Sequence, residues 1–319
     1  MKIVLMESDI TKLVTSITWS GSRQNVAREM KVTMVQDDRD SNIPVIDYDN
    51  GYTIKGYDDN GKVFFRGNIY KITRTRQEGK VELQARDNLF VLHRSKTTRK
   101  YDNIMPEIIA NAICNELGVI PGNIIQTNTP VSFIAREKTG YEVIMTAYSE
   151  ASKKTGAKYH LMMDDDKMDV VIKGTMIENY IADANVNMTE SEYIESIENI
   201  INQVMIVDEE GNITTINSDD DEKKKYSTFQ TVYKTDPNKD TASEVKNLMK
   251  KPERSGHITC LGDFRVKSAY SIQVRDTNFN GQFWVKSDSH TFEDGKHMMK
   301  LELEFENIMN EFKAEEAKK

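Results

Sequence analysis

The sequence has none of the long apolar segments that mark membrane or secreted proteins. No stretch approaches the ~20 consecutive apolar residues that span a bilayer, and the apolar run within the N-terminal MKIVLMESDITK is too short for a secretory signal. A basic excess is missing too, because 43 Lys and Arg stand against 51 Asp and Glu, a formal net charge of −8. Tight binding to nucleic acid or an anionic membrane needs a basic surface. We therefore predict synthesis in the cytoplasm, no membrane partner and no specific nucleic-acid binding.

Cysteine and the common enzyme motifs are also scarce. The two cysteines, Cys114 and Cys260, fall in a predicted helix and a predicted strand, so we expect buried free thiols rather than a disulfide. No glycine-rich phosphate loop follows a strand, and no nucleophile elbow is present. We therefore predict no catalytic residues and no cofactor.

The histidines suggest a metal site that their spacing does not support. His257 and Cys260 form a close pair, and His290 and His297 are of suitable ligand type, but no second close pair completes a tetrahedral set. The acidic run at residues 164–166 lacks the oxygen-ligand periodicity and fixed glycine of a calcium loop. We interpret the histidines as solvated residues at strand edges and the acidic run as a turn, and we predict no metal.

One stretch of the chain occurs twice. GKVFFRGNIYKITRTRQEGKVELQARDN begins at Gly61, and GQFWVKSDSHTFEDGKHMMKLELEFEN begins at Gly281. In each stretch apolar and polar residues alternate with the period of a half-buried strand, and a turn, Glu78-Gly79 or Asp294-Gly295, separates two strands. The alignment sets Gly61 on Gly281, residues 63–65 on 283–285, Arg66 on Lys286, Ile72 on Phe292, and residues 81–84 on 301–304. The repetition predicts a duplicated β-domain, with chance similarity between amphipathic hairpins as the alternative.

Short alternating runs divided by turn residues fill residues 1–95 and return after residue 191, a pattern typical of a sandwich or small barrel. In the later segment we interpret residues 219–225 as a solvated charged loop and predict a short helix near residues 241–251. The polar residues 309–319 are expected to form a frayed helical, charged C-terminal tail.

Between the two β-segments the period changes to that of helices. Residues 108–117 carry apolar residues at helical spacing, with Asp102-Asn103 as the expected N-cap and Pro106 in the first turn. A second helix is predicted from the capping-box spacing of Thr139 and Glu142. Two runs flanking residues 164–167 then predict a hairpin. The sequence thus predicts a first β-domain at 1–95, an α+β middle domain at 96–190, a second β-domain at 191–308 and a tail at 309–319.

Several fragments, in this order along nearly the whole chain, carry a resemblance to a known family. They are residues 63–67 (VFFRG), 82–89 (ELQARDNL), 141–159, 196–204 (SIENIINQV), 226–230 (YSTFQ), 261–263 (LGD), 281–285 (GQFWV), His290 and 295–299 (GKHMM). The chain resembles the XkdQ or YqbQ type of baseplate hub protein, from contractile phage tails and tail-like bacteriocins of Gram-positive bacteria. Ser227 departs from the pattern, because the family often has glycine at this position.

The resemblance implies a structural protein of mostly β, α+β fold. Each chain would contribute two tail-tube-like antiparallel β-barrels, related by internal duplication, and an α+β middle domain. A homotrimer would then present a pseudo-hexameric ring, joining the hexameric tail tube to the trimeric spike and templating tube assembly. The implied partners are the tube protein, the spike protein and other baseplate proteins, in a particle assembled after synthesis in the bacterial cytoplasm. Since the chain stops at Lys319, we expect no fused cell-wall hydrolase domain.

Residues in the repeated strands are the candidates for the assembly interface. Adjacent apolar residues in a strand point to opposite faces, so one of each pair is expected to face outward. The alternative is that both faces of the strand are covered within the monomer. The candidates are Phe64, Phe65, Arg66, Trp284, Val285 and Lys286.

Two other functions remain as alternatives. A phage-associated cell-wall hydrolase would need a pocket with a perturbed acid or nucleophile, and the sequence offers no candidate. A carbohydrate-binding adhesin would show clustered exposed aromatic residues, whereas the aromatic 8% of this chain is scattered along strands.

Overall fold

A computed structural model describes residues 1–37, 39–75, 79–237 and 239–314. Strands take up 50% of the residues and helices 17%, which confirms the predicted mostly β, α+β class. The strands are β1 Lys2–Leu5, β2 Ser8–Asp9, β3 Val14–Ser22, β4 Glu29–Val35, β5 Thr53–Tyr57, β6 Val63–Thr75, β7 Lys80–Arg86, β8 Lys96–Ile104, β9 Ile120–Ile124, β10 Val131–Thr139, β11 Tyr159–Asp164, β12 Lys167–Ile172, β13 Met176–Asp183, β14 Met188–Ser196, β15 Gln203–Val207, β16 Ile213–Ser218, β17 Gln230–Lys234, β18 Glu253–Leu261, β19 Ser271–Arg275, β20 Asn280–Glu293 and β21 Lys296–Glu304. The helices are α1 Leu89–Arg94, α2 Pro106–Glu116, α3 Gly140–Thr155, α4 Asp220–Tyr226 and α5 Thr241–Leu248.

Thirteen of the strands form one curled sheet of half-barrel form. Its order is β14–β18–β21–β20–β3–β4–β7–β6–β5–β1–β2, and β19 and β13 continue from the first half of β20. Inward-facing apolar residues alternate with outward polar ones along β4 and β7, as the period-two pattern predicts. Both predicted hairpins are therefore present, as β6–β7 and β20–β21. Glu78, in the first predicted turn, lies outside the described residues.

The sheet contains the same strand connectivity twice. We call β1 and β3 to β7 repeat 1, and β13, β14 and β18 to β21 repeat 2. In repeat 1 the neighbours run β3–β4–β7–β6–β5–β1, and in repeat 2 they run β14–β18–β21–β20–β19–β13. If the six strands of each repeat are numbered along the chain, both repeats have the same strand order in the sheet. This agreement supports duplication over chance similarity. The repeats differ at one end, where β1 pairs antiparallel with β5 and β13 pairs parallel with β19.

The middle segment packs two helices against two small sheets, β8–β10 and β9–β12–β11. In α3 the capping box is formed, because the Glu142 amide donates to the Thr139 hydroxyl and the Glu142 carboxylate accepts from the Thr139 amide. Gly156 ends α3 in the left-handed conformation, with φ 76°. The predicted hairpin around residues 164–167 is present as β11–β12. Cys114 in α2 and Cys260 in β18 are buried free thiols, as predicted.

Four local predictions were wrong. Residues 89–94, expected to be β, form α1, and the N-cap of α2 is Met105 rather than Asp102-Asn103. Residues 219–225, expected to be a loop, largely form α4, because Asp219 caps its N-terminus and the acidic first turn and basic last turn complement the helix dipole. The tail is not a frayed helix at residues 309–314. Met309 is buried and the Phe312 ring lies 5.7 Å from that of Tyr141, while residues 315–319 lie outside the described chain.

Ser227 shows what its departure from the family pattern requires. It follows α4 with φ 69° and ψ −177°, a conformation that favours glycine. The serine therefore occupies a backbone position for which a glycine is the less strained choice.

The contacts divide the chain into two compact units, Met1–Ser191 with His257–Lys319, and Glu192–Gly256. The second unit holds the three-stranded sheet β16–β15–β17 with α4 and α5, and its small core contains Val204, Ile206 and Val245. Its ends fall within β14 and β18, and it contains the whole connection between these strands, where repeat 1 has only the connection from β3 to β4. This division differs from the three consecutive domains expected from sequence, whose boundaries stay a prediction. The helix predicted near residues 241–251 is α5.

Within the described part of the chain, no helix is both long and apolar enough to cross a membrane.

Candidate assembly interface

The two repeats join edge to edge, through antiparallel pairing of β3 with the second half of β20. Ser16–Ser22 pairs with Ser287–Glu293, with Trp19 opposite His290 and Ser20 opposite Ser289. The first half of β20 pairs instead with β19. Along one edge, β20 thus pairs first with β19 and then with β3. The two repeats are joined where β3 replaces β19 as the neighbour of β20.

A β-bulge lies where β20 changes neighbour, and β6 has a bulge at the equivalent place, where its pairing with β5 ends. In β20 the extra residue is Lys286, between Val285 and Ser287, and in β6 it is Tyr70, between Ile69 and Lys71. The preceding residue makes the same bond in each case, since the Ile69 amide donates to the Tyr52 carbonyl at 2.9 Å and the Val285 amide to the Tyr270 carbonyl at 3.0 Å. Bulges fix the register of a strand, so Tyr70 is equivalent to Lys286 and Ile69 to Val285.

The residue-by-residue alignment made from sequence was therefore out of register. It set Arg66 on Lys286, four positions from the equivalence given by the bulges. Away from the bulges, a shift of four keeps each side chain on its own face of the strand, because the side-chain period is two. The apolar pattern matched well for that reason while the positions did not. The duplication itself is supported, but Phe64 and Phe65 are not the counterparts of Trp284 and Val285.

A buried ion pair fastens the junction of the repeats. Arg28, just before β4, contacts both carboxylate oxygens of Asp288 in β20, one of them at 3.0 Å, and the two residues are 7% and 2% exposed. The Asp288 carboxylate also accepts from the Ser268 amide at 2.6 Å. Burial alone raises a carboxyl pKa, but the charge of Arg28 and the hydrogen bonding of His290 and Arg28 to the carboxylate outweigh it and hold the pKa of Asp288 well below its usual range.

A second buried group of charges lies at the end of β21. Arg23 donates to Glu304 at 2.9 Å, and the ammonium of Lys173 lies 3.6 Å from the other Glu304 oxygen. Lys173 is 1% and Glu304 7% exposed, and burial lowers the pKa of Lys173. These residues were not predicted from the sequence, because Arg23 and Lys173 lie outside the strands and Glu304 falls on the polar side of the alternation in β21.

The candidate interface residues all have partners within the chain. Phe65 and Val285 are buried, and Phe64 packs with its ring centroid 5.1 Å from that of Trp19 and 4.7 Å from that of Phe264. Trp284 is half-buried, in the part of β20 that pairs with β19.

The two basic candidates are bound by carboxylates. Arg66 lies 3.3 Å from Asp165 and from Asp166 in the β11–β12 turn, and Lys286 bonds Glu302 at 2.5 Å. The structure does not bring the six candidates together into one patch, and their role in assembly stays a prediction.

The sequence predicted solvated strand-edge histidines, and for His290 and His297 this prediction was wrong. His290 is fully buried; one ring nitrogen lies 2.9 Å from the Val266 carbonyl oxygen and the other 3.0 Å from His297. Burial, and then the neighbouring His290, lower the pKa of His297 to about 4. Within the described residues no group of three His, Cys, Asp or Glu is placed to hold a metal ion.

Solved structures of similar fold include tail and secretion proteins. The crystal structure of the 43 kDa tail protein of prophage MuSo2 from Shewanella oneidensis matches with TM-score 0.72 at 11% identity, over 95% of each chain. The E. coli c3393 protein, described as a component of the type VI secretion system similar to T4 tail proteins gp27 and gp5, matches with TM-score 0.58 at 8% identity. That match covers 95% of this chain and 76% of c3393. At such identities the likeness shows a shared fold.

Sequence comparison gives the family. The phage-like element PBSX protein XkdQ of Bacillus subtilis (strain 168) is 23% identical over 322 residues, covering 97% of this chain and 98% of XkdQ. The model of the YQBQ-like family matches residues 17–304, which include repeat 1 from within β3 onward, all of repeat 2 and the inserted unit. The chain therefore belongs to the YQBQ-like family.

Proposed function

We propose that this protein is the structural baseplate hub of a contractile phage tail or tail-like particle. In this role it forms a homotrimer that joins the hexameric tail tube to the trimeric spike and provides the template on which the tube assembles. It acts without catalysis, and its partners are the tube protein, the spike protein and other baseplate proteins of the particle.

The repeated strand order is the observation that carries the proposal. One chain holds two copies of the same sheet module, already joined edge to edge through β3 and β20. Three such chains present six modules, which meets both a six-fold tube and a three-fold spike. The tail-protein fold and the family supply the setting, a prophage tail or a tail-like particle.

The contacts at the junction between the repeats are those expected of a rigid connection. Its core is an aromatic cluster of Trp19, Phe64, Phe264 and Phe292, in which successive ring centroids lie 4.7–5.4 Å apart, beside the buried Arg28–Asp288 pair. Close packing and a paired buried charge hold the two modules in one relative position. A ring that templates a tube needs such fixed angles between its modules.

The mass of the purified chain in solution tests the proposal. Multi-angle light scattering over a concentration series is run on the chain alone and after mixing with the tube and spike proteins of the same particle. The expected result is a trimer, or a monomer that becomes a trimer at high concentration or on mixing. A mass that stays monomeric or dimeric under all these conditions contradicts the proposal, and a clearing band in cell-wall zymography would favour the hydrolase.

A further inference from the structure

Repeat 1 has an unfilled strand edge at the position where repeat 2 accepts β3. Beyond the bulge, residues 71–75 of β6 pair with β7 on one side, and no other strand of the described chain pairs with them. The equivalent part of β20, after its own bulge, pairs with β21 on one side and β3 on the other. An open edge exposes backbone donors and acceptors that another strand can pair with.

The strand equivalent to β3 lies at the other end of the sheet. β14 is the last strand of the path beside β18, as β3 lies beside β4 in repeat 1. Equivalent hydrogen bonds align β14 with β3. The Thr15 hydroxyl donates to the Thr33 carbonyl, and the Thr189 hydroxyl donates to the Thr259 carbonyl, both at 3.2 Å. Thr189 is therefore equivalent to Thr15, Tyr193 to Trp19 and Ile194 to Ser20.

We infer that β14 of one chain adds to the open edge of β6 in a neighbouring chain, reproducing between protomers the β3–β20 junction found within each chain. The contact is heterologous, because two different edges meet, and with the three-fold rotation of the proposed trimer it closes into a ring. Internal and intermolecular junctions then alternate around the ring. This inference rests on the proposed trimer and names the surfaces that form it.

The internal junction predicts the register of the intermolecular one. Within the chain, Ser20 lies opposite Ser289 and Trp19 opposite His290. Taking the equivalent positions on β14 and β6, Ile194 lies opposite Thr73 of the neighbouring chain and Tyr193 opposite Arg74. Ile194 is 42% exposed and Thr73 is exposed, so both side chains are on the surface of the single chain.

The charges of the two edges are complementary. β14, MTESEYIES, carries three glutamates and no basic residue. The open part of β6, residues 71–75 (KITRT), carries Lys71 and Arg74 and no acidic residue. Opposite charges across neighbouring strands stabilise the pair, whereas like charges oppose it. The charge difference favours β14 against β6 and disfavours either edge pairing with a second copy of itself.

Cysteine cross-linking tests both the edges and the register. The double variant Thr73→Cys/Ile194→Cys places thiols at positions that lie directly opposite in the inferred pair, where Cα atoms are about 4.5–5.5 Å apart, within the range of a disulfide. The control Thr75→Cys/Ile194→Cys introduces equally exposed thiols on a diagonal, about 7–8 Å apart. Both variants keep the buried Cys114 and Cys260, and circular dichroism checks that they fold.

The expected result is rapid disulfide formation between chains in the test variant, giving covalent dimers and trimers on a non-reducing gel, at least tenfold faster than in the control. If light scattering shows a trimer but the two variants cross-link equally, or neither does, the edge pairing is overturned while the proposed hub stands. If the chain stays monomeric with its tube and spike proteins and neither variant cross-links, both the edge pairing and the proposed trimer are overturned.

Discussion

Arg28 and Asp288 illustrate at the residue scale how a buried charge depends on its partner. The pair is separated by 260 positions in sequence and joins the two repeats. The Arg28 guanidinium also lies 4.1 Å from the centroid of the Trp19 ring. Removing one member leaves the other charged and desolvated, which costs more than the intact pair contributes.

We therefore predict that Arg28→Met destabilises the protein by about 3–5 kcal/mol, measured by urea denaturation. Lys153→Met is the matched control, since it removes an exposed ion pair with Glu150 and should change stability little. The double variant Arg28→Met/Asp288→Leu should recover part of the loss, because no unpaired charge remains. If the Arg28 and Lys153 variants had equal urea-denaturation midpoints, burial of the Arg28–Asp288 pair would not be the cause of the predicted loss of stability.

The buried histidines predict a loss of stability in mild acid. Burial, and then the nearby charges of Lys173 and Arg28, lower the pKa of His160 to about 3, whereas an unfolded histidine titrates near its ordinary value of about 6.5. Between these values the unfolded chain binds a proton that the folded chain refuses, so stability falls as pH falls. Asp87 acts in the opposite direction, since burial raises its pKa to about 7.

Comparing variants isolates the contribution of His160. Between pH 6.5 and 5, His160→Leu should lose less stability than the unsubstituted protein, by roughly 1–2 kcal/mol, measured as the shift in urea midpoint with pH. His257→Leu, at a half-exposed position, is the control and should follow the unsubstituted protein. Parallel pH profiles for all three proteins would show that His160 does not contribute.

At the scale of elements, local signals were reliable where short-range hydrogen bonds decide the structure. The Thr139–Glu142 capping box formed as predicted, because all its atoms lie within one helical turn. Helix α4 was not predicted, although it has the same type of capping signal, because the Asp219 side chain accepts from the Glu222 amide. The charged composition of α4 is typical of a loop. The helix also contains no buried residue, so its sequence has no apolar stripe.

We predict that Thr139→Ala destabilises the protein by about 1 kcal/mol, since the Glu142 amide loses its side-chain acceptor. Thr139→Ser retains the hydroxyl and serves as the control, with a stability close to that of the unsubstituted protein. Thermal denaturation followed by circular dichroism measures both. A serine variant as unstable as the alanine variant would mean that packing of the methyl group, rather than capping, is responsible.

At the scale of the whole molecule, the repeated module and its junction give a single chain two copies of one sheet arrangement, as the proposed ring requires. The inserted unit, Glu192–Gly256, has no equivalent in repeat 1. The repeats are therefore alike in strand order but carry different attachments. Such asymmetry is compatible with the three-fold symmetry of the proposed trimer and excludes true six-fold symmetry.

Trp284 provides a prediction for assembly. If the half-buried indole contacts a neighbouring chain, Trp284→Glu should reduce the proposed trimer to monomers in light scattering, because burying an unpaired carboxylate is costly. The far-ultraviolet circular dichroism should be unchanged, and Trp284→Phe, which keeps an aromatic side chain, should remain trimeric. An unchanged mass for the glutamate variant would remove Trp284 from the interface.

The sequence by itself determined the features that depend on short-range pattern. Period-two alternation identified both hairpins, helical spacing and the capping box identified α2 and α3, and the spacing of similar stretches indicated a duplication. Each of these follows from residues a few positions apart, whose geometry is set by the local backbone. The positions of the turns and of most strands could be read for the same reason.

Only the tertiary structure decided the register of the repeats and the residues of the junction. A four-residue shift preserves the alternation, so the pattern could not distinguish the alignment based on Arg66 from that based on the Tyr70 bulge. The pairing of Arg28 with Asp288, the burial of His290 and the open edge of β6 depend on which strands become neighbours. That choice brings together residues more than 200 positions apart, and no local signal in the sequence records it.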